Sequence, residues 1–292
     1  MSLGVFAAIG AALLAGTIPV LTKLLILDGI GATTILFYRY AFIFILLGLV
    51  FLIKKKNIRV SQKQFFELAI FSIFGYSGAT FLLIQAFSFM PVGLASMLYF
   101  SYPFFVFIMM TIVFKEKPKR LKILALLIVV VGIAFLMNFK LSSLNIGSLL
   151  ALGSGLAYGI YLVGLQKSSL KEIDNSVIIF YLGGISALLL GTYGFIYSDN
   201  SLLSGLTIKR LLLTMTLAII TVVVLQMVTF AIKKIGSTET SLIIAFEAVV
   251  SLILSIIFFN EPWNGNTLAG AVLMLIAVIL VSRTADSNRS LG

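Results

Sequence analysis

The chain has no cysteine and no histidine, and only 10 of its 292 residues are acidic. Without cysteine there are no disulfides and no thiolate nucleophiles. Without histidine the usual proton shuttle near neutral pH is missing, and the two absences together remove most zinc sites. Charge of either sign is scarce: 11% of residues are Asp, Glu, Lys or Arg, against roughly 25% in a soluble domain. No paired aspartates, Ser–His arrangement, HExxH or Walker A sequence occurs, so nothing points to hydrolysis or to ATP as a driving force. The expectation is a protein that is not an enzyme, with no cofactor and no metal.

What is present is apolar. Hydrophobic residues make up 61% of the chain, and the mean hydropathy is +1.17. A helix needs about 20 apolar residues to cross a bilayer, and runs of that length recur throughout. The sequence predicts an all-α polytopic membrane protein with ten transmembrane helices, near 3–27, 31–53, 65–89, 92–114, 120–138, 146–165, 174–197, 209–232, 236–259 and 267–282. The first run lacks a basic leader and a clear cleavage site, so it does not read as a signal peptide. The lipid bilayer is the expected surrounding partner.

Basic residues set the orientation. One set of loops holds Lys54, Lys55, Lys56, Arg59 and Lys63, then Lys115, Lys117, Lys119, Arg120 and Lys122, with Lys167, Lys171, Lys233, Lys234, Arg283 and Arg289 further on. The opposite set holds Lys23, Lys140, Lys209 and Arg210. By the positive-inside rule both termini are expected to be cytoplasmic, in a plasma (inner) membrane. The net charge of +11 is then a topology signal, and no nucleic-acid partner is expected.

The chain also resembles itself. "AFSFMPVGLAS" (86–96) lies over "AIKKIGSTETS" (231–241), and "YPFFVFIMMTIVFKE" (102–116) over "EAVVSLILSIIFFNE" (247–261), at a constant offset of 145. Near the start of each half an offset of 143 aligns Gly4, Gly10, Leu13 and Gly16 with Gly147, Gly153, Leu156 and Gly159. Duplication divides the chain into 1–141 and 144–292. Each unit holds five spans, an odd number, so the second must be inverted relative to the first. This is a recurring plan of secondary transporters, whose substrate sits between the halves near the midplane.

Polar residues concentrate on a few spans. Span three carries Thr80 and Gln85, span eight Gln226, and span nine Thr240, Ser241, Glu247, Ser251 and Ser255. The counterpart of Glu247 in span four is Tyr102, close to Tyr99. In span six, Tyr158 and Tyr161 project from "GLAYG", a small-xxx-small pattern suited to close helix packing. Pro19 and Pro103 fall inside spans and predict kinks, either hinges or static bends. Spans five and ten carry almost nothing polar and read as peripheral scaffold or dimer surface.

These features resemble the EamA-type branch of the drug/metabolite transporter superfamily. The similarity is carried by "TKLLILDGIGATTILFYRYAF", "ALLIVVVGIAFLM", "YPFFVFIMMTIVFKEKP" and "FEAVVSLILSIIFFNEP". It covers the whole chain, with departures at Ala248, where proline is common, and Asn260, where glycine is usual. The resemblance implies a bacterial exporter of small metabolites, often amino acids, with a central cavity lined by spans one, three, four, six, eight and nine.

Three ionisable residues need explaining: Lys23 near the outer end of span one, Arg39 within span two and Glu247 within span nine. Such groups face the bundle interior and pair with one another or serve function. Glu247 is either ion-paired to Arg39 or Lys23 as a packing device, or free in the cavity to bind an amine or carry a coupled proton. The candidate substrate residues are Gln85, Tyr99, Tyr102, Tyr158, Tyr161, Gln226, Ser241 and Glu247. The reading is a secondary transporter exporting a small amphipathic metabolite by alternating access. Drug efflux, uptake on the same fold, and a channel or sensor remain alternatives, as do monomer and homodimer.

Overall fold

Hydrocarbon offers backbone amides no hydrogen-bond partners, so a chain this apolar must satisfy them within helices. The computed structural model describes residues 2–90, 92–136, 145–197, 207–260 and 264–287, and every regular element among them is helical. The first half comprises α1 (Leu3–Ala15), α2 (Ile18–Leu27), α3 (Ala32–Ile53), α4 (Gln62–Ile70), α5 (Gly78–Phe87), α6 (Val92–Tyr99), α7 (Tyr102–Ile108) and α8 (Arg120–Leu136). The second comprises α9 (Ile146–Lys167), α10 (Asn175–Tyr197), α11 (Ile208–Ile235), α12 (Ser237–Ile244), α13 (Glu247–Phe259) and α14 (Gly265–Ser287). Two π-helical stretches, Phe71–Ser77 and Met109–Val113, continue α4 and α7. Among the described residues 9 segments are long and apolar enough to cross a membrane. Helix α8, described over 17 residues, packs along α14.

The two halves interlock. Helix α1 packs on α11, α5 on α9, and α3 on α10, so equivalent helices exchange equivalent partners. Helix α1 starts beside the end of α11, where a Cβ on Gly4 would stand 2.9 Å from Lys234 Cβ. Its counterpart α9 starts on the opposite side, where Asn145 Nδ2 donates to Phe89 O at 3.3 Å. The repeat is thus inverted.

One face of the bundle carries the lysine-rich loops and is closed by contacts between the halves. Lys56 pairs with Asp174 at 2.8 Å, Lys167 with Glu116 at 2.6 Å and Lys122 with Glu239 at 2.5 Å. Glu67 Oε2 accepts from Ser169 N at 3.0 Å. On the far face Arg210 Nε donates to Asp28 at 2.9 Å, and Lys209 stands 3.7 Å from the same carboxylate. The Arg210 guanidinium holds the Asp28 carboxyl below the usual carboxylate range. Partial burial pushes Asp174 up, but hydrogen bonds from Lys56 and Ser176 outweigh it and bring the group below its ordinary value.

Three of the crossing segments, read from sequence as single spans, are two helices each. Helix α1 ends at Ala15 and α2 begins at Ile18 with Pro19 in its first turn. Helix α6 ends at Tyr99 and α7 begins at Tyr102 with Pro103 in its first turn. Proline fits there because the first-turn N–H has no intrahelical partner anyway. The third break, between Ile244 and Glu247, has no proline, although the alanine at 248 gave no reason to expect it. It is made instead by a tight turn in which Phe246 N bonds Ile243 O and Ala248 N bonds Ala245 O, both at 3.1 Å. Gly16 seats it: a Cβ there would be 2.5 Å from Val250 Cβ and 3.1 Å from Glu247 O. Gly155 does the same at the α6–α7 break, where a Cβ would be 2.8 Å from Ser101 Oγ and from Tyr99 O. Each glycine lets one half's first helix meet the break in the other half.

Candidate functional site

The breaks in α1–α2, α6–α7 and α12–α13 converge at mid-depth on a cavity of about 160 Å³. Its wall includes Gly16, Ile18, Pro19, Arg39, Tyr76, Thr80, Ser96, Tyr99, Tyr158, Leu225, Glu247 and Ser251. From its floor at Tyr158, Leu225 and Glu247 the wall runs along α2, α5, α6 and α13 toward the far face. Below the floor the lysine-rich half is packed shut, with Tyr102 and Ser241 at 0% and Tyr161 at 1% exposure. The volume is below the 300–1,000 Å³ typical of drug-sized pockets, which fits a small metabolite.

Glu247 is the first residue of α13, where the half-helix N-terminus favours negative charge. Among the described residues its carboxylate makes no hydrogen bond and no ion pair. Neither Arg39 nor Lys23 is paired with it, so that reading of the three charges does not describe this state. The ammonium of Lys23 lies 4.1 Å from the Phe259 ring, and in the other half Lys167 lies 5.1 Å from Phe114.

Arg39 occupies another part of the same wall and is held by a directed relay. Its Nη2 donates to Tyr40 Oη at 2.9 Å, and the guanidinium lies over the Tyr40 ring at 4.8 Å. Thr80 Oγ1 donates to Tyr76 O at 2.9 Å. The 3.3 Å contact between Tyr40 Oη and Thr80 Oγ1 must therefore carry the tyrosine's proton. Among the described residues Arg39 Nε is buried without a partner. The wall thus presents one carboxylate and one guanidinium, neither neutralised by the other.

Tyrosines fill the space around them. Tyr76 and Tyr158 have ring centroids 6.2 Å apart, Tyr99 and Tyr158 5.5 Å, and Tyr102 and Tyr158 5.0 Å. Tyr102 and Tyr161 back this cage rather than line it. Ser241 Oγ donates to Thr238 O at 2.9 Å below the floor. Gln226 Nε2 donates to Ser176 Oγ at 2.8 Å, away from the cavity. Gln85 and Pro103 are likewise outside the wall. Tyr76 and Ser96, which the sequence did not single out, are part of it. Tyr76 sits in the π-helical stretch, whose extra residue per turn shifts the register in a way the sequence does not signal. Among the described residues no group of three or more acidic side chains could hold a metal ion.

Two inverted helical units around a shared, charged, mid-depth cavity define a membrane carrier of duplicated build. A family model, the EamA-like transporter family, matches residues 2–138 and again 145–283. The chain belongs to the EamA-like transporter family, within the drug/metabolite transporter superfamily. An uncharacterized transporter of Clostridium kluyveri is 23% identical over 244 residues, covering 78% of this chain and 75% of that protein. A solved crystal structure shares the fold with a TM-score of 0.81 at 13% identity, covering 97% of this chain and 98% of that one.

Proposed function

We propose that this transporter exports a small zwitterionic metabolite, an amino acid or a close relative, by alternating access through the cavity. The observation that carries this reading is the pair of opposite charges, Glu247 and Arg39, on one cavity wall with no ion pair between them. An ammonium group would sit against Glu247 within the tyrosine cage, where cation–π attraction adds to charge pairing. A carboxylate would meet the Arg39 guanidinium, which already spends one arm on Tyr40 and has Nε to spare. The apolar body would lie on Tyr76, Tyr99 and Phe100.

The lysine-rich face is the cytoplasmic one on this reading, with α8 as one of ten crossings and both termini inside. The described conformation would then be outward-facing, and closure of α2 and α13 over the solute would accompany opening of the cytoplasmic half. Apolar surface on α8 and α14, including Leu127 and Leu275, faces lipid or a second copy.

The test is counterflow in proteoliposomes with a library of zwitterionic amino acids, after a thermal-shift screen of the purified protein. Saturable trans-stimulated flux that Glu247→Gln and Arg39→Gln each abolish is the expected result. Flux that neither saturates nor shows trans-stimulation would mean a channel instead. If the pH dependence of flux is unchanged in a residually active Glu247→Gln variant, Glu247 carries no coupled proton.

A further inference from the structure

Helix α12 opens with Ser237, Thr238, Glu239, Thr240 and Ser241, and all five are buried, none more than 5% exposed. Its repeat mate in the other half reads Val92, Gly93, Leu94, Ala95 and Ser96. A polar run has therefore been placed on the closed side of the path, where its counterpart is mostly apolar. Among the described residues, the hydroxyls of Ser101, Tyr102 and Ser237 are buried with no partner, and those of Tyr161 and Thr229 are buried with only each other to face. Buried polar groups without partners are costly and rare enough to need a reason. They descend in order from the cavity floor. Ser101 and Tyr102 are at the α6–α7 break, Tyr161 is one turn beyond Tyr158 and faces Thr229, and Ser237 begins α12 at the lysine-rich face.

At the end of this file Lys122 Nζ sits 2.5 Å from Glu239 Oε1, with side-chain exposures of 15% and 5%. Its repeat-related positions hold Thr267 and Leu94, so the far face has no such pair. Breaking a buried ion pair by removing one partner is expensive, but exchanging one ammonium for another is not.

We propose that Glu239 is a second ammonium-binding position on the transport path, and that Lys122 occupies it as a tethered stand-in while the lysine-rich half is closed. A solute ammonium leaving Glu247 displaces Lys122 from Glu239, and the hydroxyl file is hydrated as that half opens. The inference rests on the alternating-access reading above and adds a station to it.

The native chain has no cysteine, so single cysteines can report the two sides. Ser241→Cys reads the closed half and Ser96→Cys the cavity, each labelled with a membrane-impermeant maleimide in oriented vesicles. In the Lys122→Met background, labelling of Ser241→Cys from the lysine-rich side is expected to rise about tenfold, and labelling of Ser96→Cys to fall, as a minor state becomes populated. Lys122→Arg should restore the parent pattern. Phenylethylammonium should speed Ser241→Cys labelling in the parent but not in Glu239→Gln, and 2-phenylethanol in neither. Unchanged Ser241→Cys labelling in a Lys122→Met protein that melts as a folded species would overturn the proposal. A parallel rise at both cysteines, which is general loosening, would do the same. Were phenylethylammonium to act equally in Glu239→Gln while still protecting Ser96→Cys, Glu239 would lose its role and the cavity reading would stand. Absence of Ser96→Cys protection in the parent would take down both.

Discussion

Tyr102 and Glu247 occupy the same place in the two halves: each is the first residue of a half-helix that follows a mid-depth break, 145 residues apart. Yet Tyr102 is 0% exposed while Glu247 lines the cavity. One backbone plan therefore supplies a buried aromatic side chain behind the cavity on one side and a carboxylate in its wall on the other.

That carboxylate works against stability. Placing an unpaired charge in apolar surroundings is costly, so Glu247→Gln should raise the unfolding free energy of the ligand-free protein by about 1–3 kcal/mol. The same variant should lose ligand-induced stabilisation. Thermal melts with and without ligand check both, and a destabilised variant would show that Glu247 has a protein partner in solution.

The cage and the outlying amide should separate cleanly. Tyr158→Leu is expected to weaken ammonium-bearing ligands about two- to thirtyfold, the range of a desolvated cation–π contact. Gln226→Ala should leave affinity unchanged and cost about 1 kcal/mol through the lost bond to Ser176. Calorimetry and denaturation on the two variants decide this.

Two glycines on one helix should respond differently. A Cβ on Gly155 would lie 2.8 Å from both Ser101 Oγ and Tyr99 O, and the latter is backbone that cannot yield. At Gly159 the nearest atom is Met109 Cε at 3.2 Å, the free end of a flexible side chain. Gly155→Ala should therefore destabilise by about 1–3 kcal/mol, and Gly159→Ala by much less. Equal melting temperatures would contradict the close packing of α9 on the α6–α7 break.

Both faces carry an aspartate whose carboxyl lies below its usual 3.8. A depressed folded-state value means that the stabilising contribution is present above 3.8 and is lost as pH falls through the lower, folded value. Asp28→Asn and Asp174→Asn should therefore melt below the parent at neutral pH and converge with it in strong acid. These are exposed pairs, screened by water and salt, so the neutral-pH difference should be small and should shrink further in high salt.

Much of the architecture was legible in the residues. Apolar run lengths set the crossings, and the matched glycines and the 145-residue offset gave the inverted plan. Pro19 and Pro103 marked two of the breaks. The third was invisible because a tight turn and a neighbouring glycine make it, not a residue at the break itself. For the site, depth and polarity single out Tyr99, Tyr158 and Glu247, while Arg39 reads as a structural anchor or an ion-pair partner, and neither depth nor polarity says which way a side chain turns. Gln85 and Gln226 look like cavity residues by composition and lie outside the wall, Gln226 held by Ser176. Tyr76 reaches the wall from a π-helical stretch, whose register composition does not encode.

The missing proline at the third break has a mechanical consequence. Pro103 has no N–H for the Tyr99 carbonyl, so the α6–α7 joint cannot heal into one rod. Every residue around Ala245 and Phe246 keeps its N–H, so the α12–α13 joint can straighten and re-form. Pro19 does the same to the Ala15 carbonyl, so the first half has two permanent elbows and the second has one reversible joint, and in the proposed alternating-access cycle the second half should do most of the bending.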